Sequence, residues 1–343
     1  MTEGTTADVL AGKAGWACVA ADALEFLRGL PDRCVSLVLF SPPYEAQRTY
    51  SVGYKITGQD WVDWMRPICV EACRVSAGLA VVNAAGPVRD RSYSPSLEWL
   101  VADLTRLDGL ACGPSPWCWW KVCGIPGSGS SHYQRRDWEP LYAFARPDRL
   151  PLAWSDNTAF GHPPKWNPGG DFSHRTKDGL RVNDPWGKRD RGNNLGGRKK
   201  SGEVLKGTRH TKRMKGVSHK TGSTLEVQHY VPPPVANPGN VIRDESEPAS
   251  DVIEARVGGG HIGHPTAHDS EAPMALAVAE RFVCWYAAPG SVVCDPFAGS
   301  GTTCHAAVEH GRRFVGCDLR QSQVNLVRRR MSSVTPGMFP DAA

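Results

Sequence analysis

The sequence predicts an α/β fold built on a mostly parallel sheet. Short apolar runs alternate with segments of helical spacing on both sides of a basic middle region. One run, Cys34 to Phe40 (CVSLVLF), is apolar along almost its whole length, which is typical of a strand buried on both faces of a parallel sheet. A glycine-rich turn, Asp295 to Thr303, lies between a predicted strand and a predicted helix, as it does in doubly wound sheets.

The first α/β region covers residues 16–146. Its apolar runs and helical spacings predict strands at 16–20, 34–40, 79–83, 117–122 and 141–145, with helices at 23–30, 61–75 and 97–107. The second α/β region covers residues 258–331 and predicts helices at 273–288, 301–310 and 321–331 around strands at 291–294 and 313–317. The tail, residues 332–343, is expected to fray.

The middle region, residues 147–257, is rich in Gly, Pro, Asn and basic residues. Residues 151–243 contain 17 Lys and Arg against 7 Asp and Glu, a net charge of +10, although the whole chain carries only +5. Such a local excess indicates a segment that meets an anion. A basic linker and a region that becomes ordered on a polyanion both remain open. The candidate anion contacts are Arg198, Lys199, Lys200, Lys212, Arg213 and Lys215.

Composition narrows the class of protein further. A chain of 343 residues with 41% hydrophobic residues can bury a sizeable core, which excludes fibres and disulfide-rich miniproteins. Its 11 cysteines are odd in number, sit among apolar neighbours and never show Cys-x-x-Cys spacing, so we expect reduced core thiols and no metal site. No signal-peptide pattern and no apolar run near 20 residues occurs, so we expect a cytoplasmic protein that does not enter membranes.

The glycine-rich turn is a candidate nucleotide site. Gly299 and Gly301 can let the backbone approach a ligand at the start of a helix. Asp318 ends the next predicted strand, where a doubly wound sheet carries the acid that binds ribose hydroxyls. A triphosphate is disfavoured because no Lys follows Gly301, and a dinucleotide because the third glycine of its motif is missing. The pattern therefore predicts a nucleoside ligand.

A second candidate site is the tetrapeptide Ser41-Pro42-Pro43-Tyr44 at the carboxyl end of the buried strand. Two prolines hold an extended turn and offer carbonyl acceptors without amide donors. Ser41 adds a hydroxyl and Tyr44 an aromatic face. Acceptors beside an aromatic plate suit the exocyclic amino group of a stacked base, although a loop that merely ends a strand explains such a motif equally well.

Together, these motifs make the chain resemble a β-class amino-methylating DNA methyltransferase. Ser41 to Tyr44 is similar to the catalytic tetrapeptide of that family, and Asp295 to Thr303 is similar to its S-adenosylmethionine motif. The resemblance implies a Rossmann-like methyltransferase fold with a seven-stranded sheet and a circularly permuted motif order. It also implies that the basic insert is a target-recognition region.

The resemblance assigns residues as well as fold. The catalytic residues would be Ser41, Pro42, Pro43 and Tyr44. The cofactor-binding residues would be Asp22, Pro273, Asp295, Pro296, Phe297, Gly299, Ser300, Gly301, Thr302 and Asp318. Phe297 either covers the cofactor or simply packs beneath the turn. The histidine that precedes the cofactor motif is either His264 or His268, because the segment up to Pro273 departs from the usual family spacing. Arg136 to Pro140 (RDWEP) leads into a late strand, as in the family.

The implied activity is transfer of a methyl group from S-adenosylmethionine to double-stranded DNA. Ser in the tetrapeptide favours the N4 amino group of a flipped cytosine, with the N6 amino group of adenine as the alternative. A DNA-binding protein without catalytic activity and an RNA substrate are further alternatives. A restriction endonuclease is a candidate partner.

Overall fold

The computed structural model describes residues 1–45, 56–89, 92–113, 116–121, 138–156 and 274–337, and the backbone of five short strands between residues 174 and 254. The chain divides into two compact units. Met1–Gly161 and Pro238–Ala343 form the larger unit, and His162–Asn237 form the smaller one.

Helices and strands alternate along the larger unit. Its helices are α1 (Thr6–Leu10), α2 (Ala23–Arg28), α3 (Gln59–Val75), α4 (Ser96–Arg106), α5 (Leu276–Tyr286), α6 (Thr302–Glu309) and α7 (Gln321–Met331). Its strands before the smaller unit are β1 (Trp16–Ala20), β2 (Val35–Phe40), β3 (Ser76–Asn83), β4 (Val88–Arg89), β5 (Ser92–Tyr93), β6 (Ala111–Cys112), β7 (Trp117–Trp120) and β8 (Trp138–Ala145). A 3-10 turn, Pro147–Arg149, follows β8.

The remaining strands follow in chain order. The smaller unit contains β9 (His174–Arg175), β10 (Arg181–Val182), β11 (Met214–Val217) and β12 (Thr224–Val227). The larger unit resumes with β13 (Val252–Glu254), β14 (Val292–Asp295) and β15 (Arg313–Asp318). β9 pairs with β10 and β11 with β12, each antiparallel, so hairpins occur in the basic segment where no periodic pattern predicts them.

One large sheet organises the larger unit, in the order β1-β15-β14-β2-β3-β8-β7-β13, with β6 paired to β8. The five strands from β1 to β3 are mutually parallel, whereas β8 runs antiparallel to both β3 and β7. The path from β1 to β7 contains seven strands, and the short strands β13 and β6 extend it. This arrangement confirms the predicted α/β fold with a mostly parallel sheet.

The strand order contains a switch point between β14 and β2. From β14 the chain passes through α6 to β15 on one side, and from β2 it passes through α3 to β3 on the other side. Where the connections diverge in this way, an open α/β sheet has a crevice outside the carboxyl ends of its strands, and ligands bind there. Both sequence motifs follow these two strands.

Apolar side chains cover both faces of the sheet. Leu37 and Leu39 of β2 join a core with α5, α6 and α7, and Val38 and Phe40 join a core with α1 to α4. All four side chains are 0% exposed, and each stabilises the fold by about 1.5 to 3 kcal/mol. The continuous apolar run of β2 is therefore explained by burial on two faces, as the sequence predicts.

Helix α1 is the main element of the larger unit that the periodicity does not predict. It is only five residues long, and Thr5 caps it: the Thr5 hydroxyl accepts from the Asp8 amide, while the Asp8 carboxylate accepts from the Thr5 amide at 3.1 Å. A reciprocal capping box of this kind can stabilise a helix that is too short to show an apolar period.

Ten cysteines in the described part of the chain are free thiols, and seven of them are buried. Burial raises the pKa of Cys69, Cys294 and Cys304 well above the usual range. These cysteines behave as small apolar core residues, as the sequence predicts. None of the described helices combines the length and the apolar character needed to cross a bilayer.

Candidate active site

The tetrapeptide Ser41 to Tyr44 extends directly from the carboxyl end of β2. Phe40, the last residue of the strand, pairs with Val82 of β3 and is completely buried. The Pro43 carbonyl accepts a hydrogen bond of 2.9 Å from the indole nitrogen of Trp61, which is itself buried in α3. Strand pairing and this bond fix both ends of the double-proline turn.

A polar network joins the tetrapeptide to the neighbouring strands. The Ser41 hydroxyl donates to the Tyr44 hydroxyl at 3.3 Å. The Tyr44 oxygen lies 3.1 Å from Oδ1 of Asn83 and 3.0 Å from Oε2 of Glu139. Asn83 ends β3, and Glu139 is the second residue of β8, so three adjacent strands supply the network.

A buried lysine completes this network. Lys121 follows the last residue of β7 and donates to Oε1 of Glu139. Its side chain is 10% exposed and that of Glu139 only 6%. The Lys121 ammonium also lies 4.4 Å from the centre of the Trp119 ring, a cation-π contact. Sequence reasoning did not identify Lys121 or the role of Glu139, because both positions reach the site only through antiparallel pairing of β7 and β8.

Asp295, the last residue of β14, stabilises the glycine-rich turn through hydrogen bonds. One carboxylate oxygen accepts from the Phe297 amide at 2.9 Å, and the other accepts from the Thr303 hydroxyl at 2.7 Å. Burial raises the pKa of Asp295 to about 7. Asp295 therefore shapes the turn by linking β14, the turn and the start of α6.

The two glycines of the turn need conformations that other residues rarely adopt. Gly299 has φ +50° and Gly301 has φ +81°, both in the left-handed region. A Cβ at Gly301 would also lie 3.2 Å from both methyl groups of Val327 on α7. The turn thus packs tightly against α7 while its backbone bends sharply.

Asp318 lies at the carboxyl end of β15, beside the turn. Its Oδ2 accepts from the Gly299 amide at 3.1 Å, and its Oδ1 accepts from the Arg320 amide at 3.0 Å. Burial raises the pKa of Asp318. A carboxylate offers about four acceptor positions, so two backbone bonds leave capacity for donors on a ligand.

Asp22 is exposed and follows β1, the strand next to β15. Its Oδ1 accepts from the amides of Leu24 and Glu25 at 2.9 and 3.1 Å and so caps α2. The Ala21 amide donates to the Asp318 carbonyl at 3.1 Å. Both acids thus lie at the same edge of the sheet, and Asp22 has a local capping role besides the predicted cofactor contact.

Three other predicted cofactor residues, Pro296, Ser300 and Thr302, are buried. The Thr302 hydroxyl accepts from the buried guanidinium of Arg330 at 3.0 Å. The Pro296 carbonyl accepts from the Cys317 thiol at 3.2 Å. The Ser300 hydroxyl is buried and finds no hydrogen-bond partner among the described residues.

Phe297 connects the two motifs. Its ring stacks on Phe40 with 5.6 Å between centroids and meets Trp64 of α3 edge-on at 5.8 Å. Phe40 is the residue directly before Ser41, so this aromatic pair links the turn after β14 to the end of the strand from which the tetrapeptide extends. Phe297 therefore packs beneath the junction, and part of its side chain is exposed.

Several predicted site residues lie outside the described part of the chain. These are Pro273, His264, His268, Arg198, Lys199, Lys200, Lys212 and Arg213. Lys215 lies in β11, of which only the backbone is described, opposite Glu226 in the hairpin register.

Comparisons with known proteins identify a family and a fold. A family model described as DNA methylase matches residues 35–329. The relative YubD of Escherichia coli K12, which bears the name of a methylase, is 42% identical over 55 residues, which are 16% of this chain and 24% of the relative. The DNA adenine methyltransferase YhdJ of the same strain is 36% identical over 64 residues, 19% of this chain and 21% of the relative. The chain therefore spans less than a quarter of the length of either curated relative.

A solved structure, the PvuII DNA methyltransferase named as cytosine-N4-specific, superposes with a TM-score of 0.54 at 14% identity. The superposition covers 96% of this chain and 89% of the other. At this level of identity the likeness concerns the fold alone.

Proposed function

The chain belongs to the DNA methylase family, and we propose that it transfers a methyl group from S-adenosylmethionine to an exocyclic amino group of a base in double-stranded DNA. The observation that supports this proposal best is the contact between Phe297 and Phe40 at the switch point. Because Phe40 directly precedes Ser41, that contact brings a turn suited to a nucleoside close to a tetrapeptide suited to an amino group, at the sheet edge where open α/β sheets bind ligands.

The residues around the glycine-rich turn fit S-adenosylmethionine. Ser300 has a buried hydroxyl without a hydrogen-bond partner among the described residues, and a ligand could satisfy it. Asp318 has acceptor capacity left for ribose hydroxyls, and Gly299 and Gly301 allow the backbone to approach the ligand. When bound, the cofactor supplies a methyl group on a sulfonium, an activated electrophile.

The tetrapeptide would activate the amino group. An amino group on an aromatic base is a poor nucleophile because its lone pair is delocalised into the ring. Ser41 donates its own hydrogen to Tyr44, so the lone pairs of its oxygen can accept an amino hydrogen. The Pro42 carbonyl would accept the second hydrogen. Both acceptors gain strength as positive charge develops on nitrogen, which stabilises the transition state more than the ground state.

The target base must leave the duplex before it can react, at a cost of a few kcal/mol. Stacking on the Tyr44 ring, worth about 1 to 3 kcal/mol, would offset much of that cost. The Tyr44 hydroxyl is held by Asn83 and Glu139, so the orientation of the ring is fixed before a base arrives.

We propose cytosine N4 as the methylated position, on the basis of Ser41 in the tetrapeptide. Adenine N6 is the second candidate, because the relative YhdJ is named an adenine methyltransferase. DNA incubated with the protein and isotope-labelled S-adenosylmethionine can be digested to nucleosides and analysed by mass spectrometry. Labelled N4-methylcytosine is the expected product. Labelled N6-methyladenine would contradict the base assignment, and unlabelled DNA would favour a DNA-binding protein without catalytic activity.

We also propose that the basic region, residues 147–257, recognises the DNA target. Arg198, Lys199 and Lys200 would contact DNA phosphates. Each such contact releases counterions from the DNA, so the binding constant falls as salt rises, with a slope of about −0.9 per contact when both are plotted as logarithms. Pairing with a restriction endonuclease stays a prediction from the sequence.

Replacing Arg198, Lys199 and Lys200 by Gln in one triple variant should weaken the binding of the protein to specific and random DNA duplexes alike. The salt slope should become shallower by roughly one unit for each lost phosphate contact. Titration of a fluorescent duplex at several salt concentrations measures both quantities. An unchanged DNA affinity and salt slope would mean that these three residues are exposed to solvent and do not contact DNA.

A further inference from the structure

A buried ion pair lies behind the proposed catalytic tetrapeptide. Lys121 and Glu139 are 10% and 6% exposed, and Oε2 of Glu139 is 3.0 Å from the Tyr44 hydroxyl. A buried ion pair loses the hydration of both charges, and apolar residues of similar volume often give equal or greater stability. Stability alone is therefore a weak reason for this pair at the edge of the site.

The hydrogen bonds around Tyr44 have a direction. Glu139, as the partner of Lys121, only accepts, so the Tyr44 hydroxyl must be the donor in their contact. Its oxygen then accepts from Ser41. Asn83 donates its amide to the Pro140 carbonyl at 3.2 Å, which turns its oxygen toward Tyr44 as a second, neutral acceptor. A charged acceptor forms the stronger bond, so the favoured order is Ser41 to Tyr44 to Glu139.

We propose that Glu139 is a positioning residue that acts through Tyr44 and receives the proton released by methyl transfer. This proposal rests on the proposed function of the same site. The amino nitrogen forms a bond to the methyl carbon, the carbon–sulfur bond breaks, and its electron pair stays on sulfur. The amino proton passes to the Ser41 oxygen, the Ser41 proton to the Tyr44 oxygen, and the Tyr44 proton to Oε2 of Glu139. Lys121 holds Oε1, which keeps Oε2 directed at Tyr44.

The distances permit this relay before any substrate binds. The contact between Glu139 and Tyr44 is of ordinary length, and the 3.3 Å between Ser41 and Tyr44 is long for two hydroxyls. Catalytic hydrogen bonds are often long without substrate and shorten in the reactive complex. Glu139 therefore requires no rearrangement to act, and Ser41 requires only a small one.

The test uses Glu139→Gln in the 343-residue chain, with single-turnover methyl transfer to duplex DNA as the measurement. Gln keeps a hydrogen-bonding group beside Tyr44 but cannot take up the proton. We expect the rate to fall by about 100-fold, with the KM for DNA and the Kd for S-adenosylmethionine within about twofold of the wild type. We expect Tyr44→Phe to lose a similar factor and the double variant to lose no more than either single variant.

Two further variants keep the test informative. Glu98→Gln is a matched control, because Glu98 also accepts from a tyrosine hydroxyl, that of Tyr93, at 2.8 and 3.0 Å. This control should keep the wild-type rate. If Glu139→Gln does not fold because Lys121 loses its counter-ion, the neutral pair Glu139→Gln with Lys121→Met replaces it, and the same 100-fold loss is expected.

The outcomes separate the two proposals. A wild-type rate in Glu139→Gln, or losses in Glu139→Gln and Tyr44→Phe that multiply in the double variant, would overturn the relay and leave the proposed function intact. A rate loss accompanied by an equal loss of cofactor affinity would show that the carboxylate only supports the fold. If the wild-type protein methylates no DNA, it is the proposed function that fails.

Discussion

Replacing Ser41 with Ala should lower the rate of methyl transfer by about 100- to 1,000-fold, the usual effect of removing one hydrogen-bonding group that acts mainly in the transition state. The Ser41 hydroxyl is the group nearest the strand end that can accept an amino hydrogen, and its own hydrogen is already committed to Tyr44. Alanine leaves the double-proline turn intact, because Trp61 still holds the Pro43 carbonyl. Cofactor affinity should therefore stay within about twofold of the wild type.

Single-turnover transfer of labelled methyl groups gives the rate, and calorimetric titration gives the cofactor affinity. Ser332→Ala serves as the control, since that serine is exposed and its hydroxyl donates to the Arg329 carbonyl at 2.7 Å. Equal losses of rate and cofactor affinity in Ser41→Ala would indicate that the loop has collapsed, and an unchanged rate would remove Ser41 from the chemistry.

Replacing Asp318 with Ala should weaken S-adenosylmethionine binding by about 10- to 100-fold, which corresponds to the 1.5 to 3 kcal/mol of a hydrogen bond to a charged group. Burial already raises the pKa of this carboxyl, so its ionised form gains from each hydroxyl donor that a ribose brings. The variant also frees the Gly299 amide, which Asp318 now holds at 3.1 Å. Both effects act on the cofactor and not on the tetrapeptide.

The affinity is best measured by titration of cofactor into folded protein, with circular dichroism to verify the fold. Asp8→Ala is a suitable control, because Asp8 likewise accepts from a backbone amide, that of Thr5 at 3.1 Å, but belongs to α1. If Asp318→Ala binds the cofactor as tightly as the wild type does, the assignment of the ribose contact is wrong.

Local patterns explain how much of this fold could be predicted. β2 could be predicted because burial on two faces requires a nearly continuous apolar run. The turn from Asp295 to Thr303 could be predicted because residues other than glycine rarely adopt the φ angles of Gly299 and Gly301. Such signals lie within a few consecutive residues. The predicted element boundaries differ from those in the structure by a few residues. For example, α5 begins at Leu276 in the structure, whereas the sequence predicts a start at residue 273.

The network behind Tyr44 could not be predicted in the same way. Glu139 and Lys121 are 18 residues apart, and no local periodicity links either of them to Tyr44. They meet because β8 runs antiparallel to both β3 and β7, a register that depends on the whole sheet. The capping of α2 by Asp22, a residue predicted to bind the cofactor, could likewise be recognised only from the structure.

The pairing of β14 with β2 has a consequence for how the protein folds. Val293 pairs with Leu37, so the centre of the sheet closes only after nearly the whole chain has been made. A ribosome that adds about 5 to 20 residues per second needs roughly 10 to 50 seconds between these two positions. During that interval the β2 edge that will pair with β14 has no partner, and an exposed apolar edge is a template for pairing with other chains. Contacts between such distant residues also slow folding. We therefore expect chains truncated before Val292 to aggregate.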